Sequence, residues 1–332
     1  MWLVHPENVS ISGLTPITYV SGSYTADSIT EQCGLYEDNS NTLPAAQRNS
    51  LILACYDIMQ LMDEGQEVGI TVVGVSNAEL EGEQLVSMAA VDSAIDPRVH
   101  IENFGDSGGS LGGILEPTSN YMTVKLPGFE ATSVVENDQR RILIFDQPTD
   151  TIGNDNSNPR NIPIDDFPAL IEWQADQTKA AIDVLKGRWP NLSVVILTPP
   201  TYSGYGGIYG TDDQGAPPAD IVSKRPERMA YECGYGIREL IRRQLSGVVG
   251  YRHVEDGFPV MVWGPYVWSN GTTPNPLQQW DAGVAMTSLW EDYDPQDGIH
   301  PKGDGTGLEL KWATRMLAYL KLHAGVRLVV LD

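Results

Sequence analysis

The chain has 332 residues, 41% of them hydrophobic, which is enough for one large domain or two small ones with a real core. Its 44 Asp and Glu against 21 Lys and Arg give a formal charge of −23, so nucleic acid and anionic membranes make poor partners. No run of about 18 apolar residues is present to span a membrane.

The first residues, Met1-Trp2-Leu3-Val4-His5-Pro6-Glu7, lack a basic stretch followed by an apolar one, so no signal peptide is expected there. Residues 1–45 hold short polar and β-branched runs rich in Ser, Thr and Gly. They predict an N-terminal extension, irregular or a small β appendage, ahead of a single domain over 46–332. Leu51, Ile52, Cys55, Ile58, Met59 and Met62 recur at helical spacing, and Gly65 supplies a stop.

A β-branched run over 68–73 follows, of the kind buried in a parallel sheet. It ends in Gly74-Val75-Ser76-Asn77 and leads into a helical pattern through Leu80, Leu85, Val86 and Ala89. A second strand is expected over 99–104, closing on Gly105-Asp106-Ser107-Gly108-Gly109. Residues 111–140 are poorly periodic. The next strand, over 141–145, runs into Asp146-Gln147-Pro148 and then Gly153-Asn154-Asp155. A helix over 165–189 precedes a strand over 192–197 and a loop rich in Gly, Pro and Tyr, with Tyr202 and Tyr205 in it. A helix over 226–245, a strand over 258–263 ending at Gly264-Pro265-Tyr266-Val267-Trp268, and a closing helix over 307–322 complete the chain.

Strand and helix alternate throughout, which calls for an α/β layer fold around a mainly parallel sheet. Ligands in such sheets bind at the carboxyl ends of the strands, where Ser76, Ser107, Gln147, Tyr202 and Trp263 all fall. Cys33 and Cys55 are able to pair, leaving Cys233 over, and three free thiols fit equally well. With no paired cysteine motif and no clustered histidines, no zinc site is expected.

Near the C-terminus, Asp297-Gly298-Ile299-His300-Pro301 puts an acid three residues before a histidine on a turn. A carboxylate so placed fixes the histidine tautomer and supports its charged form, as in a hydrolytic triad. The competing reading is a surface turn with an incidental histidine. Three serine contexts compete for the role of nucleophile. Gly105-Asp106-Ser107-Gly108-Gly109 spells the signature of chymotrypsin-like proteases, but the helical segments and the setting of His5 and His100 disagree with that fold. Read as a Gly-Asp-Ser block, the same serine fits a GDSL-type esterase, although a strand and helix already precede it. Ser76 lies directly between a buried strand and a helix, where its hydroxyl is exposed and its backbone N–H is close to a helix N-terminus. The plainer reading of Ser76 is a helix N-cap.

Gly74-x-Ser76-Asn77, Gly108-Gly109, the strand ending in Gln147 and Asp297-x-x-His300-Pro301 together resemble the SGNH hydrolase superfamily. The likeness is to its branch with a Gly-x-Ser-Asn first block, similar to sialate and xylan acetylesterases, and it covers about residues 65–322. The resemblance implies a three-layer α/β/α, flavodoxin-like fold and an esterase acting on short-chain esters, with no metal or organic cofactor. It implies Ser76 as nucleophile, His300 as base and Asp297 as its orienter. The oxyanion hole would draw on the N–H groups of Ser76 and of Gly108 or Gly109, with Gln147, or Asn154 as second choice, as the third donor. Asn77, Tyr202, Tyr205, Trp263, Tyr266 and Trp268 are the expected substrate contacts, the aromatics as a platform for a sugar ring. The expected partner is a carbohydrate or other small ester, and the expected setting is secreted or periplasmic, in a bacterium. A hypothesis from another class is a non-catalytic carbohydrate-binding protein on the same fold.

Overall fold

The β-branched runs form the centre of the molecule. The structure is a computed structural model that describes residues 14–150, 160–163, 166–201, 227–269, 275, 286–294 and 299–322. Five strands make one parallel sheet: β3 (Val68–Gly74), β4 (Val99–Asn103), β5 (Arg140–Asp146), β6 (Val194–Thr198) and β7 (Val260–Trp263). A row of branched residues crosses it in register, Ile101–Ile70–Ile142–Val194–Val260. Every residue of β3, β6 and β7 is buried, so both faces of the sheet are covered, as its apolar runs require.

Helices provide the cover. Ahead of the sheet come the hairpin β1 (Ser23–Ala26) and β2 (Ile29–Gln32) and helix α1 (Ala45–Asp63). α2 (Ser76–Ala89) follows β3 directly. α3 (Leu111–Leu115) and α4 (Leu126–Thr132) lie between β4 and β5, and α5 (Phe167–Arg188) between β5 and β6. α6 (Glu227–Leu245) and the short α7 (His253–Asp256) precede β7, and α8 (Leu308–Leu322) closes the described chain. α2 packs on α8 and α5 on α6. Asp166 caps α5, its side chain accepting from the Ala169 N–H, while Lys186 and Arg188 sit in the last turn against the dipole. Among the described residues no helix is long and apolar enough to cross a membrane.

The strand order is β4-β3-β5-β6-β7. Counted within the sheet this is 2-1-3-4-5, the doubly wound order in which the chain reverses direction between its first and third strands. That switch point lies between β3 and β5, whose last residues, Gly74 and Asp146, are paired.

The N-terminal segment is bound into the main body: Ile17, Leu35 and Tyr36 are in the central core, and Leu35 O accepts from Trp263 Nε1 at 2.7 Å. Residues 111–140 hold α3, a π turn at Tyr121–Lys125, α4 and a 3-10 turn at Asn137–Gln139, each too short to show a period. All three cysteines are free and buried, so the Cys33–Cys55 pairing does not form.

Candidate active site

The site begins at the end of β3. A Cβ on Gly74 would lie 2.1 Å from the Asp146 carbonyl oxygen and 2.7 Å from Ala78 Cβ, so glycine lets β5 and the first turn of α2 close on the same point. Val75 then stays extended (φ −74°, ψ −173°) as the N-cap, without a side-chain cap. Ser76 is therefore the first helical residue and not the cap. Its hydroxyl lies 2.7 Å from His300 Nε2. The first N–H groups of a helix have no intrahelical acceptor and carry the positive end of its dipole, and Ser76 supplies one of them.

His300 belongs to a loop held by its backbone. Its carbonyl accepts from the Asp294 N–H at 2.8 Å, and Tyr293 and Pro301 form an antiparallel bridge around it. The preceding carbonyl, that of Ile299, accepts from Asn77 Nδ2 at 3.2 Å. Asp297, Asn154, Tyr202 and Tyr205 lie outside the described residues.

Asn77 is 2% exposed, so it is not a substrate contact. Besides Ile299 O, its Nδ2 lies 3.3 Å from Thr201 Oγ1 and 3.5 Å from Gln147 Oε1. Gln147 is fully buried at the end of β5 with φ at +49°, a left-handed backbone that costs a non-glycine residue free energy. Its Nε2 donates to Glu81 Oε2 at 3.1 Å, so the Gln147 amide is built into this buried network. Burial raises the Glu81 carboxyl well above its usual range, and the adjoining Asp146 carboxylate adds to the effect. Asp146 Oδ1 in turn accepts from Thr198 Oγ1 and from Trp312 Nε1. Nearer the surface, burial and the Asp106 carboxylate raise Glu79, which also feels the charge of His300.

Other expected site residues fall differently. The N–H of Gly108 donates to Asp106 Oδ1 at 2.9 Å and that of Gly109 to Asp106 O at 2.7 Å, so an Asx-type turn holds both expected oxyanion donors. Trp263, Tyr266 and Trp268 are at most 1% exposed and cannot offer a face to a sugar. They are core residues: Trp263 bonds Leu35 O, Tyr266 lies beside Trp263, and Trp268 packs on Tyr231. Ser107 is exposed on the loop after β4, while the imidazole faces Ser76.

Glu81, Thr201 and Asp146 were not singled out from the sequence. Glu81 had a signal: it stands four residues after Asn77 and on the same stripe as Ala78 and Leu85, the core-facing side of α2. A carboxyl on an apolar stripe marks a buried polar network. Among the described residues no group of three His, Cys, Asp or Glu side chains is placed to hold a metal ion. The arrangement that results is a serine hydroxyl at a helix N-terminus, hydrogen-bonded to an imidazole at a topological switch point. Such a group can lose its proton to the imidazole and attack an electrophile.

No protein-family model and no curated protein matches the chain. A solved structure described as a reductase engineered to attenuate substrate inhibition in asymmetric catalysis is similar at 11% identity and a TM-score of 0.28. The alignment covers 60% of this chain and 57% of that one. A likeness at that level carries no argument about fold or activity.

Proposed function

We propose that the protein is a serine esterase of the SGNH hydrolase type that removes short acyl groups, acetyl foremost, from a carbohydrate ester. The observation that carries the reading is the 2.7 Å contact between Ser76 Oγ and His300 Nε2, made by the first residue of a helix that leaves the central strand. His300 takes the Ser76 proton as the oxygen attacks the ester carbonyl. The tetrahedral oxyanion is met by the Ser76 N–H and the positive end of α2. His300 then protonates the departing alcohol. Water, deprotonated by the same imidazole, releases the acid and restores Ser76. Asp297, three residues before His300, is the proposed orienter of the imidazole. The acetyl and carbohydrate preferences come from the resemblance in the serine and histidine blocks, and the acidic surface fits a secreted or periplasmic setting.

A fluorophosphonate probe followed by peptide mapping tests this reading. Covalent label on Ser76, together with acetate release from an acetylated sugar, is the expected result. A native protein that takes up no label at Ser76 and turns over no ester is a binding protein, and the proposal fails.

A further inference from the structure

The catalytic pair has a support that the esterase reading does not itself supply. We propose that Asn77 is a positioning residue whose side-chain amide clamps the Ile299 carbonyl and so holds His300 on Ser76, with Glu81 setting the Asn77 amide through Gln147. The inference rests on the reading of Ser76 and His300 as nucleophile and base.

The argument is one of hydrogen-bond direction. Asn77 Nδ2 is 3.2 Å from Ile299 O, one residue before the imidazole and one residue after the nucleophile. An amide presents donors on one side and an acceptor on the other. Asn77 donates toward Ile299 only if its nitrogen faces that way, and two buried oxygens face the same nitrogen, Thr201 Oγ1 at 3.3 Å and Gln147 Oε1 at 3.5 Å. Gln147 presents its oxygen there because its own nitrogen is drawn to Glu81 Oε2 at 3.1 Å. Were the Gln147 amide turned over, two N–H groups would meet at Asn77 and the Glu81 oxygen would face another oxygen. Burial, and the Asp146 carboxylate beside it, raise the pKa of Glu81. The donors therefore run one way, from Asn77 through Gln147 to Glu81, whose neighbour Asp146 accepts from Thr198 and Trp312. All of these side chains are at most 2% exposed, so water offers no substitute partners. The relay spans the ends of β3, β5 and β6 and reaches the histidine loop, four segments whose relative placement sets the distance between the reacting atoms.

The test measures fluorophosphonate labelling rate and acetyl-ester kinetics on the full chain. Asn77→Ala is expected to lower kcat and the labelling rate about 10–100-fold with KM within about twofold, because a displaced base slows chemistry without touching the substrate. Glu81→Ala is expected to fall in the same direction, and Glu81→Gln to recover activity to within about threefold of wild type, since its amide oxygen still accepts from Gln147 and it puts no charge beside Asp146. The double variant Asn77→Ala/Glu81→Ala should lose no more than the worse single, as members of one relay do. If Asn77→Ala does not fold, Asn77→Asp keeps the shape and removes the donor, and it should show the same kcat loss. Leu85→Ala, a buried change on the same helix, controls for destabilisation and should label at the wild-type rate when folded. Wild-type labelling by Asn77→Ala or Asn77→Asp overturns the clamp, and so does an equal loss in folded Leu85→Ala. Glu81→Gln as inactive as Glu81→Ala removes Glu81 from it. A wild-type protein that neither labels nor turns over takes the esterase reading down first and the clamp with it. A labelled wild type with an unaffected Asn77→Ala sinks the clamp alone.

Discussion

Ser76 and His300 stand 224 residues apart in the chain and 2.7 Å apart in space. The serine arrives on the helix that follows the central strand, and the histidine on a loop just before α8, the helix packed against α2. The meeting of hydroxyl and imidazole thus depends on two helices that already share a face. Replacing His300 with Ala is expected to lower kcat on an acetyl ester by about 10²–10⁴, the span of a lost general base. Ser107→Ala should stay within about threefold of wild type. A Ser107→Ala enzyme that is dead beside an active Ser76→Ala would reassign the nucleophile.

The sequence made much of this legible, and the reasons differ by element. β3 and β6 were readable because buried parallel strands are continuous apolar runs, here over 68–73 and 192–197 against an observed Val68–Gly74 and Val194–Thr198. The serine and histidine blocks were readable because spacing and turn chemistry are local. The aromatics were not. Tyr266 and Trp268 stand in a loop at a strand end, where sequence alone cannot tell a ring that faces a ligand from one that fills the core, and both fill the core. Gly108 and Gly109 were placed by position, but the turn built by Asp106 takes up their N–H groups. Glu81 was missed because a lone carboxyl on a helix reads as solvated. Its partners Gln147 and Asp146 arrive from another strand.

The raised pKa of Glu81 has a consequence for stability. Burial and Asp146 raise its folded pKa above the unfolded value of about 4.3. Above that pH the unfolded chain has lost the proton and the folded one keeps it, so folding takes up a proton and this group's contribution falls as pH rises. Glu81→Gln has no proton to lose. Its melting temperature relative to wild type should therefore become more favourable as pH rises from about 4.5. A difference that stays flat with pH, or that runs the other way, would place a charged carboxylate at Glu81.

Arg140 opens β5 at the end of the sheet away from Ser76. It is fully buried, with Nη1 2.6 Å from Glu102 Oε2 and 2.8 Å from Thr71 Oγ1, and its guanidinium lies 4.5 Å from the centre of the Phe104 ring. Removing one partner of a buried pair leaves the other charge without compensation. Arg140→Met should cost about 3–5 kcal/mol in urea unfolding, and adding Glu102→Leu should recover part of it. Folded Arg140→Met should still label at Ser76 at the wild-type rate, because nothing in the relay touches it. A labelling rate that falls with stability would couple the two ends of the sheet.

The three thiols give a direct measure of how tightly the body is closed. Cys33 approaches Tyr235, Cys233 lies against Gln174 and Thr149, and Cys55 sits in the core face of α1 with its thiol pushed up to about 12 by burial. The thiolate must reach and attack the reagent, so burial denies all three cysteines, and Cys55 is denied ionisation as well. The native protein should release none of the chromophore from an aromatic disulfide reagent over minutes at pH 8, and the urea-unfolded chain should release three equivalents. The native reaction should follow the same urea dependence as global unfolding, since Cys33 belongs to the N-terminal segment and Cys55 to α1, both packed into the core around the sheet. A single equivalent reacting well below the unfolding midpoint, mapped to Cys33, would show the hairpin segment opening on its own and would separate residues 14–45 from the domain they are packed into.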